Sequence, residues 1–110
     1  MATKSYTDLE QSRKLAKILP VESADMYWSF GNIKFMDDDY DSNVVQHVLA
    51  WSLAALLSVL PKIVNNEPLF IKTSATLWHI GYQNTYTVRA SNTIDACYEL
   101  IVYLHELNLL

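Results

Sequence analysis

The chain has 110 residues, of which 51% are hydrophobic and 18% charged, with two Gly and three Pro; this excludes a disordered chain, a low-complexity linker and a collagen-like repeat. A chain of this length folds to a surface of about 6,200 Å² from roughly 18,000 Å² unfolded, which is enough for one core and too little for two domains. Eight Lys+Arg against twelve Asp+Glu leave a net charge of −4, which argues against a nucleic-acid partner of the duplex type, where a basic face neutralises phosphates.

Thr7 to Glu10 reads as a capping box, with Thr7 accepting from the backbone three residues on and Glu10 reaching back. The helix that follows has Leu9, Leu15, Ala16, Ile18 and Leu19 as apolar positions and stops before Pro20, whose ring disfavours helical geometry in the preceding residue. Arg13, Lys14 and Lys17 close its last turns, where cations suit the negative pole. Ser23 to Trp28 reads as a short helical turn capped by Ser23. Residues 30–43 lose periodicity and carry the run Asp37, Asp38, Asp39 and Asp41, so they form an acidic surface loop. Its aromatic residues pin it onto the body rather than leaving it a linker.

Val44, Val45, Val48, Leu49, Leu53, Leu56, Leu57 and Leu60 recur at the spacing of one helical face. Between Val48 and Leu60 the other faces hold only small or apolar residues, so this helix is covered on more than one side. Its start lies at Asn43 or at Ser52, a good N-cap. Asn65 to Pro68 is a turn. Leu69 to Thr73, Leu77 to Gln83 and Thr85 to Ala90 then alternate with period two, the second and third parted by Gln83 and Asn84. One face holds Leu69, Ile71, Trp78, Ile80, Tyr82, Tyr86 and Val88; the other shows Lys72, His79, Thr87 and Arg89. Asn92 caps a final helix with Cys97, Leu100, Ile101, Leu104 and Leu107 as its stripe. The expected fold is α+β, one domain over residues 1–110, with a three-stranded antiparallel meander packed against three helices in the order α-loop-α-β-β-β-α.

Few residues point to chemistry. The acidic run lacks the glycine and closing Glu of a calcium loop, and no two of His47, His79 and His105 have zinc-ligand spacing on a helix. Cys97 is the one cysteine and falls on an inward stripe, where it acts as a small hydrophobe. Gly31 and Gly81 are isolated, so there is no phosphate-cradling loop. No metal, no cofactor and no enzyme are expected. The best candidate for a membrane span, the thirteen residues from Val48 to Leu60 bounded by Gln46, His47 and Pro61, is too short for a bilayer and the start has no apolar signal, so the expected location is the cytoplasm, with no membrane partner.

Three stretches, Ser23 to Tyr27, Trp51 to Pro61 and Asp95 to Ile101 running into Leu104 to Leu110, resemble small uncharacterised proteins of bacterial prophages and mobile elements. The shared features are a Trp-Ser-Leu motif before a Leu-rich helix and a closing helix that opens with Asp-Ala. The group tends to have a proline before Trp51, where this chain has Val48, Leu49 and Ala50. The resemblance implies a bacterial, prophage-like origin; the group has no known activity, so nothing functional carries over from it. On these grounds the chain is expected to be a non-enzymatic protein-interaction module with an unidentified protein partner, a homodimer being one such arrangement, and with Tyr27, Trp28, Phe30 and Tyr40 as candidate interface anchors. The alternative is an anionic-ligand or single-stranded nucleic-acid binder that uses the open sheet face of Lys72, His79 and Arg89.

Overall fold

The computed structural model describes residues 4–83 and 85–110. Met1 to Thr3 of the signal argument and Asn84 of the expected turn lie outside the described residues. The fold is α+β with three helices, and its strands pair antiparallel throughout the described residues. Among the described residues the strands form three sheets rather than one meander.

Helix α1 spans Leu9–Ala16. Its cap is Asp8, one residue later than expected. The Asp8 carboxylate accepts from the Gln11 backbone N–H at 2.8 Å, and the Gln11 side chain accepts from the Asp8 N–H at 3.1 Å. Thr7 is engaged elsewhere: its hydroxyl meets that of Ser12 at 2.8 Å and accepts from the Trp51 N–H at 3.1 Å. Both hydroxyl residues are fully buried, and this bonding removes the cost of hiding them.

The segment expected to be a helical turn is instead a single 3-10 turn, Val21–Ser23, followed by strand β1, Met26–Ser29. The expected loop contains strand β2, Asn32–Phe35, which pairs with β1. Phe30 and Gly31, at φ 51° and 82°, make the two-residue turn between them; positive φ at both central positions matches the twist of a hairpin. Strand β3, His47–Ala50, pairs on the other side of β1. The long-helix reading of residues 43–60 therefore gives way to a strand, Trp51, and a short helix α2 over Leu53–Val59. Ser52 is its cap, accepting from the Ala55 N–H at 3.3 Å.

After α2, strands β4 (Ile63–Val64) and β5 (Glu67–Pro68) form a small hairpin. Its turn residues Asn65 and Asn66 sit at φ 53° and 66°, a conformation asparagine tolerates. The expected meander follows as β6 (Phe70–Ser74), β7 (Leu77–Tyr82) and β8 (Tyr86–Ala90) in that spatial order. Helix α3, Thr93–Glu106, is capped by Asn92, whose side chain accepts from the Asp95 N–H at 2.8 Å. It packs on β7, β8, α2 and α1. Leu107 lies just past its end and is exposed, outside the stripe expected to hold it.

Ile94, Cys97, Leu100, Ile101 and Leu104 of α3 join Leu15, Trp51, Leu56, Leu60, Ile80 and Tyr82 in one buried cluster. Leu53 and Leu57 are half-buried against it. Tyr82 donates to the Pro61 carbonyl at 2.5 Å, tying the meander to the end of α2. No helix among the described residues is long and apolar enough to cross a membrane.

Candidate functional site

Register decides what the meander presents. Lys72 lies opposite His79, and His79 opposite Arg89, so the three form one row across the sheet. Ile71, Ile80 and Val88 form the next row, and side chains of adjacent rows point to opposite faces. Helix α3 covers the Ile80 face over β7 and β8. β6 lies at the margin of that cover, which leaves Ile71 41% exposed.

On the opposite face Lys72 and Arg89 are exposed and His79 is half-buried. The Lys72 ammonium stands 5.6 Å from the centre of the Phe70 ring, within the range where a cation is drawn to an aromatic face. His79 Nε2 and the Ser74 hydroxyl are 2.8 Å apart. A shallow hollow of about 300 Å³ adjoins the row, lined by Pro68, Phe70, Lys72 and Gln83. Gly81 keeps β7 and β8 close: a Cβ there would stand 2.1 Å from the Tyr86 carbonyl oxygen and 2.5 Å from the Thr87 Cα.

The other expected contact residues separate by depth. Tyr27 has no exposure, Trp28 and Tyr40 are half-buried, and Phe30 is 65% exposed at the hairpin tip. A fully covered ring anchors no partner unless the segment opens first, which rules out Tyr27; Phe30 offers the most free aromatic surface of the four, and Trp28 and Tyr40 each offer part of a ring. Tyr27 donates to Asp37 at 2.7 Å, packs edge-on against Tyr40 at 5.3 Å, and contacts the His47 ring at 5.2 Å. Burial and the Asp37 carboxylate raise the Tyr27 hydroxyl pKa, while its bond holds Asp37 below the usual carboxylate value. Trp28 donates its indole N–H to the Thr7 carbonyl at 3.2 Å and meets Tyr6 edge-on at 5.6 Å.

His47 is the residue that sequence reasoning passed over. On the long-helix reading it precedes an apolar run; on a strand it shares a face with Tyr27 and Leu49. Its Nδ1 accepts the Asp41 backbone N–H at 3.0 Å, which leaves the proton of the neutral ring on Nε2. The short spacing from an Asp-Ser-Asn turn to a histidine was the available signal, and it is a weak one.

Around Asp25 the bonding is structural. Asp25 accepts from the Ser52 N–H at 2.9 Å and from the Ser52 hydroxyl, while Trp51 donates its indole N–H to the Ser23 hydroxyl at 3.0 Å. These bonds seat α2 against the 3-10 turn. Cys97 is fully buried, and that burial pushes its thiol up to about 12. Among the described residues no group of three or more His, Cys, Asp and Glu is arranged to hold a metal ion. Comparison with protein-family models, with curated proteins and with solved structures returned no match to this chain.

Proposed function

We propose that the chain is a non-enzymatic interaction module that holds an acidic, extended segment of a protein partner along the free edge of β6, beside the open face of the β6-β7-β8 meander. One observation carries the reading: Lys72, His79 and Arg89 stand in a single cross-strand row. Residues 68–94 contain no Asp or Glu, in a chain whose net charge is −4. The meander is therefore a basic island on an acidic molecule, a distribution that steers an acidic partner to one face.

Geometry supports the extended form of that partner. β6 pairs with β7 on one side, and Ile71, Lys72, Thr73 and Ser74 are all exposed. A segment added along its free edge gains main-chain hydrogen bonds. The side chain opposite Lys72 would continue the basic row, and an acidic residue there is favoured over a basic one. Phe70 and Leu77, the latter 37% exposed, supply apolar contact beside the charges. The buried, protonated Cys97 supports the non-enzymatic half of the reading. The setting in a bacterial mobile element rests on the motif resemblance.

The test is binding of a labelled oligoglutamate peptide and of a labelled single-stranded oligothymidylate, each at low and raised salt. The peptide should bind at low salt and weaken as salt rises. Lys72→Ala and Arg89→Ala should each reduce its affinity about three- to tenfold with an unchanged melting temperature. Tighter binding of the oligothymidylate through the same two residues, or indifference to both substitutions, would overturn the reading.

A further inference from the structure

A second concavity, remote from the meander row in the sheet it uses, lies between the end of α1 and β3. It measures about 370 Å³ and is lined by Arg13, Ala16, Lys17, Tyr40, His47, Val48 and Leu49. That volume falls within the range of small-molecule sites, toward its lower end. Ala16, Val48 and Leu49 contribute apolar lining. Tyr40 and His47 contribute a pair of stacked rings, 24° from parallel with centroids 6.0 Å apart.

Arg13 and Lys17 are four residues apart and share a helix face. Both are exposed, and the ion pairs among the described residues all belong to Lys4. His47 adds a donor: with Nδ1 accepting from Asp41, its Nε2–H has no hydrogen-bond partner among the described residues. Two such cations, an aromatic wall and an apolar lining suit a ligand with one flat apolar part and one anionic part. A carboxylate or phosphate meets a guanidinium through paired hydrogen bonds, and a base stacked on an aromatic ring is held by its face whatever its identity.

We infer that this concavity binds a small planar organic anion of the nucleoside-monophosphate class, its ring against Tyr40 and His47 and its phosphate on Arg13 and Lys17. The carboxylates of the adjoining loop do not fill that role: Asp37 accepts from the Tyr27 hydroxyl and the Asp39 N–H, and Asp41 accepts from the Asn43 N–H. Lys14 provides an internal control. It lies in the same last turn of α1, equally suited to the helix dipole, but does not line the concavity.

The experiment is calorimetric titration of the full chain with the four common nucleoside monophosphates, and with adenosine and inorganic phosphate as separate halves. At least one monophosphate should bind with a Kd below about 1 mM, and each half-ligand at least about tenfold more weakly. Arg13→Ala and Lys17→Ala should each weaken binding about tenfold, while Lys14→Ala and Arg89→Ala leave it unchanged. All four substitutions fall on exposed residues, so folding is preserved. Absence of binding by every monophosphate, equal binding of inorganic phosphate alone, or equal loss in Lys14→Ala would overturn the inference.

Discussion

Cys97 has zero exposure, on the face of α3 that meets the core. With its thiol pushed up to about 12 by burial, it is neither ionised nor reachable at mild pH, and a thiol reagent must wait for the protein to open. An opening free energy of about 5 kcal/mol slows such a reaction by more than about a thousandfold. Ellman's reagent at pH 8 should therefore modify native Cys97 at least about a thousandfold more slowly than the denatured chain, measured by release of thionitrobenzoate. Comparable rates would show that the α3 face is accessible. The inward place of Cys97 was legible from helical spacing, because each residue of a long amphipathic helix is located by its neighbours. Thr7 was not, because a threonine before Asp8 reads equally well as a cap. What decides its role is Trp51, forty-four positions away, whose N–H it accepts.

The segment from Val44 to Leu60 shows the same limit at the level of an element. A three-and-four apolar spacing is degenerate when the run is apolar all round, since a buried strand and a buried helix then look alike. The β-branched Val44, Val45 and Val48 favour strand, and Ser52 cuts the run by capping α2. The meander was legible because large apolar residues at Trp78, Ile80, Tyr82, Tyr86 and Val88 alternate with neighbours such as His79, Gly81, Thr87 and Arg89. That same alternation put Lys72, His79 and Arg89 on one face before any register was known. β1 and β2 carried no such contrast: Met26 and Tyr27 are both buried, so neighbours in sequence have the same character. Of the two helix starts the sequence offered, Asn43 and Ser52, the structure has the second, and Ser52 joins the strand half of the run to the helical half through its bonds to Ala55 and to Asp25. Ser52→Ala removes the cap and one hydrogen bond to a carboxylate, and should lower unfolding free energy by about 1–2 kcal/mol. Urea denaturation reads this as a shift in midpoint at constant slope. A change below a few tenths of a kcal/mol would mean that α2 is held by packing alone.

At the scale of the molecule, one polar cluster joins the chain's beginning to its last helix. Lys4 donates to Asp8 at 3.0 Å and to Asp95 at 2.8 Å, and Asp95 also accepts from Gln11 and Asn92, each at 2.8 Å. Sequence could show that Lys4, Asp8 and Asp95 were charged, but their meeting depends on α1 packing against α3. Partial burial pushes the Asp95 carboxyl up, and the bonds from Lys4, Gln11 and Asn92 outweigh it, so its pKa falls below the ordinary value; Asp8 is lowered as well. For Lys4, burial acts downward and the two carboxylates outweigh it, so its pKa is raised. The signs give a plateau. The Asp95 contribution is complete above the unfolded carboxyl value of about 4 and disappears as pH falls through the lower folded value; the Lys4 contribution is complete below about 10.4 and disappears as pH rises through the higher folded value. Asp95→Asn should therefore cost about 1 kcal/mol between pH 5 and pH 9, a modest figure because both side chains keep some solvent. The difference from wild type should shrink toward zero as pH falls through the lowered folded value of Asp95, where the wild-type carboxyl is itself protonated. Chemical denaturation across that range measures it directly. An equal deficit at pH 2 and pH 7 would mean that the substitution disturbs the Asn92 cap rather than the ionic link between α1 and α3.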